Sequence, residues 1–198
     1  VDIYSLYLRN GDARYAIFDF VSKRISYTHL ECITCGIRSE PMLDSLQHPI
    51  QIRFIEGSQE VSDRISGKWG GGAVIVNNRI KAFWENKGYP VCFDPVEVLA
   101  PRGKGVYPKL PLEYPLFRCR PTILAQIDYS KCSADDVQSD CPDCGTTSFY
   151  HPAYRVEGKA SMFWSPQGAW YITEEVYEEL QREGFTNFIL EKANGMVL

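Results

Sequence analysis

A chain of 198 residues with 44% apolar content is long enough for one sizeable core or two small lobes, and its 13% aromatic content suits strands and a binding surface better than a helical bundle. A net charge of −4 and a pI of about 5.5 set the whole-molecule field against nucleic acid and in favour of a basic protein partner. No apolar run approaches the roughly 18 to 20 residues of a membrane span, and residues 1–7 alternate like a strand rather than a signal peptide, so a cytoplasmic location is expected.

Alternation of Ile3, Ser5 and Tyr7 against Tyr4, Leu6 and Leu8 predicts a strand over residues 2–8, and the apolar run over residues 15–20 predicts a second. A turn carrying Cys32-Ile-Thr-Cys35-Gly36 follows. Residues 37–67 hold Pro41, Pro49 and Gly57 around a strand at residues 50–55. Trp69-Gly70-Gly71-Gly72 lacks the Lys-Ser/Thr of a phosphate loop and reads as a tight turn. From Ala73 a strand leads through Asn77, an N-cap residue, into a helix whose apolar stripe is Ile80, Phe83 and Trp84; Gly88 ends it and another strand follows. Residues 99–119 form a Pro- and Gly-rich connection across the surface, and residues 117–124 re-enter a sheet. Arg102, Lys104, Lys109, Arg118 and Arg120 fall in and beside it, and such a run is ordinarily a solvated face.

The second Cys pair, Cys141-Pro-Asp-Cys144-Gly145, stands among Asp135, Asp136, Asp140 and Asp143. A strand from Ala169 then leads through Thr173 into a helix with the stripe Val176, Tyr177 and Leu180, ended by Gly184 before a last strand near residues 188–190. Glu174, Glu175, Glu178, Glu179 and Glu183 line this helix. The helix dipole accounts for the first two, and an acidic face that steers a basic partner is the functional alternative.

Laying Ala73 on Ala169 puts Ile80 on Val176, Trp84 on Leu180, Gly88 on Gly184, Tyr89 on Phe185 and Phe93 on Ile189. With one Cys pair ahead of each unit, this reads as a degenerate duplication, with halves at 1–98 and 120–198; a chance likeness of two common units is the alternative. The expected fold is α+β, two related strand-helix-strand halves on an antiparallel or mixed sheet, joined at a four-cysteine zinc site.

The cysteines carry that last expectation. A Cys-x-x-Cys turn aims both sulfurs one way, the following Gly supplies backbone freedom, and two such turns fill the four corners of a tetrahedral Zn2+ site. Cys32, Cys35, Cys141 and Cys144 are therefore the candidate ligands of a structural zinc ion, with a spacer far longer than that of a zinc ribbon, so that the metal ties distant parts of the chain. A redox dithiol, disulfides and unbound thiols are the competing readings; seven cysteines, an odd number, fit a disulfide framework poorly. Cys92, Cys119 and Cys132 stand singly and read as buried thiols.

No enzyme is expected. Neither Gly-x-Ser-x-Gly, nor His-Glu-x-x-His, nor a Walker loop occurs. The histidines are His29, His48 and His151, and with four cysteines available none is needed as a ligand. His29-Leu30-Glu31 spells half of the zinc-deaminase pattern, but such a site would take Cys141 and Cys144 and leave Cys32 and Cys35 unexplained.

The two Cys-x-x-Cys-Gly motifs, together with the aromatic strand at residues 170–173, the helix ending in Gly184-Phe185 and the final strand, resemble the double-CXXCG motif immunity proteins of bacterial polymorphic toxin systems. The likeness runs from Cys32 to the C-terminus, with the Cys pairs as its specific part and the tail in support. It implies a single immunity-type domain over 1–198, without catalysis, that neutralises a cognate toxin domain, often a nuclease, by occluding its active surface. Cys32, Cys35, Cys141 and Cys144 match the family's paired cysteines, and no toxin-contact residue carries over. The alternative function is a zinc-ribbon nucleic-acid-binding or transcription adaptor protein, which requires a basic patch from Arg102 to Arg120.

Overall fold

The computed structural model describes residues 2–5, 15–21, 49–56, 58–67, 74–102, 104–143, 147–149, 153–156, 160–165, 169–188 and 190–193. In chain order its elements are β1 (Ile3–Ser5), β2 (Ile17–Phe20), β3 (Ile50–Glu56), β4 (Arg64–Gly67), β5 (Val74–Asn77), α1 (Asn78–Lys87), β6 (Val91–Leu99) and β7 (Leu116–Pro121). There follow β8 (Gln126–Ile127), a 3-10 turn (Ala134–Asp136), β9 (Val137–Asp140), β10 (Thr147–Phe149), β11 (Tyr154–Arg155), β12 (Met162–Trp164), β13 (Trp170–Thr173), α2 (Glu174–Arg182) and β14 (Glu191–Lys192). The chain is a mixed α+β protein dominated by strands. Among the described residues no helix is long and apolar enough to cross a membrane.

Six strands close into a barrel in the order β2-β3-β6-β7-β5-β4. The β3–β6 and β2–β4 pairs are parallel and the remaining pairs antiparallel. Strand side chains alternate between faces, so every second residue points inward. Phe18, Ile52, Phe54, Ile65, Ile75 and Leu116 fill the interior. The Pro- and Gly-rich connection crosses one open end and plugs it with Tyr107, Leu112 and Tyr114, and the Tyr114 hydroxyl donates to the Val61 carbonyl at 3.3 Å.

A second, antiparallel sheet has the order β12-β13-β1-β14. Its two faces serve different cores: Met162, Trp164, Trp170 and Ile172 enter one cluster, and Ile3, Phe163 and Tyr171 another with Tyr154 and Ala125. β7 runs on into residues 123–125, whose backbone pairs with Trp164, so the barrel continues into the sheet. Because β1 lies between β13 and β14, the first strand of the chain belongs to the sheet of the last unit.

The two strand-helix units keep one register. β5 and β13 are each four residues long and buried throughout, because each has a core on both faces. Asn77 and Thr173 stand at the N-caps. Ile80, Trp84, Val176 and Leu180 are fully buried, and Gly88 and Gly184 both take the left-handed conformation, at φ 67° and 64°. The surroundings differ: β5 belongs to the barrel and β13 to the open sheet, and a nine-residue β6 follows α1 where a two-residue β14 follows α2. β6 continues through Pro95 to Leu99, and β7 begins inside the stretch whose composition reads as connection.

Both helices pack into one cluster, with Val74, Val76, Ile80 and Trp84 on the barrel side and Trp164, Trp170, Ile172, Val176 and Leu180 on the sheet side. The Trp84 and Trp170 rings are 5.9 Å apart at its centre.

Candidate metal centre

Cys141, the first cysteine of the second pair, directly follows the first strand of a hairpin. Ser133 accepts a hydrogen bond from the Asp135 backbone N–H at 3.2 Å and starts the 3-10 turn, after which β9 and β10 pair antiparallel with Asp140 opposite Thr147. Residues 141–146 join them. Cys141, the first residue after β9, is 4% exposed, whereas Asp140, Pro142 and Asp143 around it are exposed. A buried thiol between exposed neighbours at the end of a strand suits one ligand of a tetrahedral thiolate site. A Zn2+ ion held by the four paired thiolates would supply a cross-link between distant parts of the chain. Cys32, Cys35 and Cys144 lie outside the described residues, as do His29, His48 and His151. Among the described residues no three His, Cys, Asp or Glu side chains gather as metal ligands.

The hairpin stands on an arm rooted at the β8–β11 ladder. The Asp128 N–H donates to the Ala153 carbonyl at 2.9 Å, and the Ala153 N–H donates to Cys132 Sγ at 3.4 Å. Cys132 Sγ lies 3.4 Å from the Asp128 carbonyl, which closes the turn. Cys92, Cys119 and Cys132 are free thiols. Burial pushes the Cys119 thiol well above the usual range despite the nearby Arg64 cation, so the group stays protonated and donates to the Val74 carbonyl at 3.3 Å. A neutral, buried thiol is a poor nucleophile.

Two charged clusters escape a reading of the sequence alone. At the end of the barrel opposite the plug, Asp94 lies across from Arg118 in the β6–β7 register, on the inward face with Val96 and Leu116. Asp94 Oδ2 accepts from Arg118 Nη2 at 2.7 Å and from Arg120 Nε at 2.9 Å. Burial opposes the charge on Asp94, but the hydrogen bonds from Arg120 and Arg118 outweigh it and hold the carboxyl below its ordinary value. The period-two series Asp94, Val96, Val98 facing Leu116, Arg118, Arg120 is the signal that points to such a pair. Val21 and Pro49, which bracket the segment carrying Cys32 and Cys35, lie at this same end, where the Val21 N–H donates to the Gln51 carbonyl at 2.9 Å.

The second cluster ties the barrel to the C-terminal unit. Asp63, 7% exposed, accepts from Asn77 Nδ2 at 2.8 Å, Arg79 Nη1 at 3.2 Å, and the Thr186 N–H and hydroxyl at 2.8 and 3.0 Å. Asn187 holds a left-handed backbone at φ 64°, and its Nδ2 donates to the Arg64 carbonyl at 2.7 Å. Arg64 is buried beside the Phe188 ring, and desolvation lowers its guanidinium to about 10. Nothing in the local sequence joins positions 63 and 186; the network exists only because the loop after α2 lands at the start of β4.

The glutamates of α2 divide by task. Glu179 takes Lys87 at 2.8 Å and the Tyr89 hydroxyl, which hold its carboxyl below the ordinary value, while Glu175 and Glu178 are exposed. No known protein-family model and no curated protein matches this chain significantly.

Proposed function

We propose that this chain is a zinc-stabilised immunity protein that binds a cognate bacterial toxin domain, of nuclease type in the first instance, and neutralises it by covering its active surface. It is not an enzyme in this reading, it acts in the cytoplasm, and Cys32, Cys35, Cys141 and Cys144 hold Zn2+ as a structural clasp between two related halves. The observation that carries the reading is the burial of Cys141 directly after β9, where the second Cys-x-x-Cys-Gly begins. The shared register of the two strand-helix units supports the pseudo-repeat, and the exposed acids Asp135, Asp140, Asp143, Glu175 and Glu178 suit a basic toxin surface.

The nucleic-acid adaptor reading is less well supported, because Asp94 engages Arg118 and Arg120 and shortens the basic run it needs. Co-expression with the toxin domain encoded beside it provides the test. A stable complex and rescue of the host from killing are expected; toxicity that persists with no complex formed refutes the proposal.

A further inference from the structure

The connection that plugs the barrel also carries a cluster of exposed cations. Arg102, Lys104 and Lys109 are exposed and form no ion pair among the described residues. Seven cations elsewhere among the described residues are ion-paired: Arg79 with Asp63, Lys81 with Glu85, Lys87 with Glu179, Arg118 and Arg120 with Asp94, Lys131 with Asp128 and Lys192 with Asp2, while Arg155 and Arg182 are exposed singly and far apart in the sequence. Between the three charges in sequence stands Val106, 57% exposed and, with Val21 and Tyr129, one of three large apolar side chains that face water among the described residues. In a chain of net charge −4 this local surplus of positive charge does not follow from composition.

The loop is also shaped in advance. The Tyr107 hydroxyl donates to the Arg102 carbonyl at 2.8 Å, and Tyr107 lies so close under Gly105 that a Cβ there would come within 2.9 Å of the ring. Pro108 is buried and Tyr107 packs against the barrel core, so the chain is anchored directly after the tip. A loop held in this way loses little conformational freedom when a partner seats on it.

We infer that Arg102, Lys104, Val106 and Lys109 form a docking surface for an acidic protein segment with an apolar residue among its carboxylates. This surface is opposite in sign to the acidic faces assigned to the toxin, and the inference does not rest on the immunity reading. A protein segment fits better than a nucleic acid for two reasons. The tip offers an aliphatic side chain, and the Tyr107 ring beside it packs against Gly105 and the barrel core with its hydroxyl engaged, which leaves a poor platform for stacking a base. The chain's negative net charge also repels a long polyanion more than a short acidic patch. A contact this small belongs to the weak, transient class.

The test uses the full chain and two labelled probes, a peptide of repeating Glu-Glu-Leu and a single-stranded oligonucleotide of equal charge, followed by fluorescence anisotropy at low and raised salt. The wild-type protein is expected to bind the peptide more tightly than the oligonucleotide. The variant R102E/K104E/K109E is expected to weaken peptide binding at least about tenfold, while R155E/R182E, which reverses exposed cations elsewhere, changes it by less than about twofold. Val106→Ser and Lys104→Gln, single exposed changes, are expected to weaken it by smaller steps with the thermal midpoint unchanged, and they carry the test if the triple variant does not fold. Absence of peptide binding at low salt, equal losses in the loop and control variants, or tighter binding of the oligonucleotide overturns the inference.

Discussion

Asp94 shows how one residue sets the balance at the end of the barrel. Its carboxylate is shared by two guanidiniums, and Arg118, only 4% exposed, has been taken out of water on the strength of that contact. Removing one partner of a buried pair leaves the other charge uncompensated, so Asp94→Asn is expected to cost about 3 kcal/mol in urea unfolding. The pH dependence follows from the lowered carboxyl: the stabilisation is complete above the ordinary carboxylate value of 3.8 and is lost as pH falls through the lower folded-state value. Asp94→Asn should therefore flatten the acid limb of the stability profile below about pH 4, and an unchanged limb would show that the pair contributes nothing.

At the scale of elements, the two helices look alike in sequence but start differently. Asn77 Oδ1 accepts from the Arg79 and Ile80 N–H groups at 3.0 and 3.2 Å, while its amide donates to Asp63. Thr173 makes no side-chain capping bond, and α2 instead has Glu174 and Glu175 in its first turn, where the positive end of the helix dipole favours them. Asn77→Ala is thus expected to cost more than the typical ~1 kcal/mol of a lost cap, because the buried Asp63 also loses a donor, whereas Thr173→Ala should cost less than about 0.5 kcal/mol. Thermal unfolding of both variants decides this, and equal losses would mean that the clasp around Asp63 adds nothing to α1.

For the whole molecule, the question is what joins the barrel to the sheet. Among the described residues the Trp84–Trp170 cluster and the Asp63 network do so, and Trp84→Ala is expected to destabilise the protein by about 3 to 5 kcal/mol in one cooperative transition. Two separate transitions would show that barrel and sheet fold independently. The proposed zinc clasp has its own test: purified protein should contain about one zinc per chain, and Cys141→Ser or chelation should release it and lower the melting temperature. Metal-free protein of undiminished stability would remove the clasp.

Much of the local structure is legible in the sequence, since it depends on spacing and on single residues. The stripe of Ile80 and Trp84, its counterpart in Val176 and Leu180, the cap at Asn77 and the glycines at 88 and 184 fix both helices and the strands that feed them. The Cys-x-x-Cys spacing likewise marks the turn at Pro142 and Asp143 before any strand beside it is known. Closure of the barrel, the insertion of β1 beside β13, the inward Asp94 and the meeting of Asp63 with Thr186 are decided only by tertiary structure. The physical reason is range: a capping bond or an apolar stripe is settled within a few residues, whereas strand partners and buried charges are selected by what lies opposite after the chain has folded back on itself.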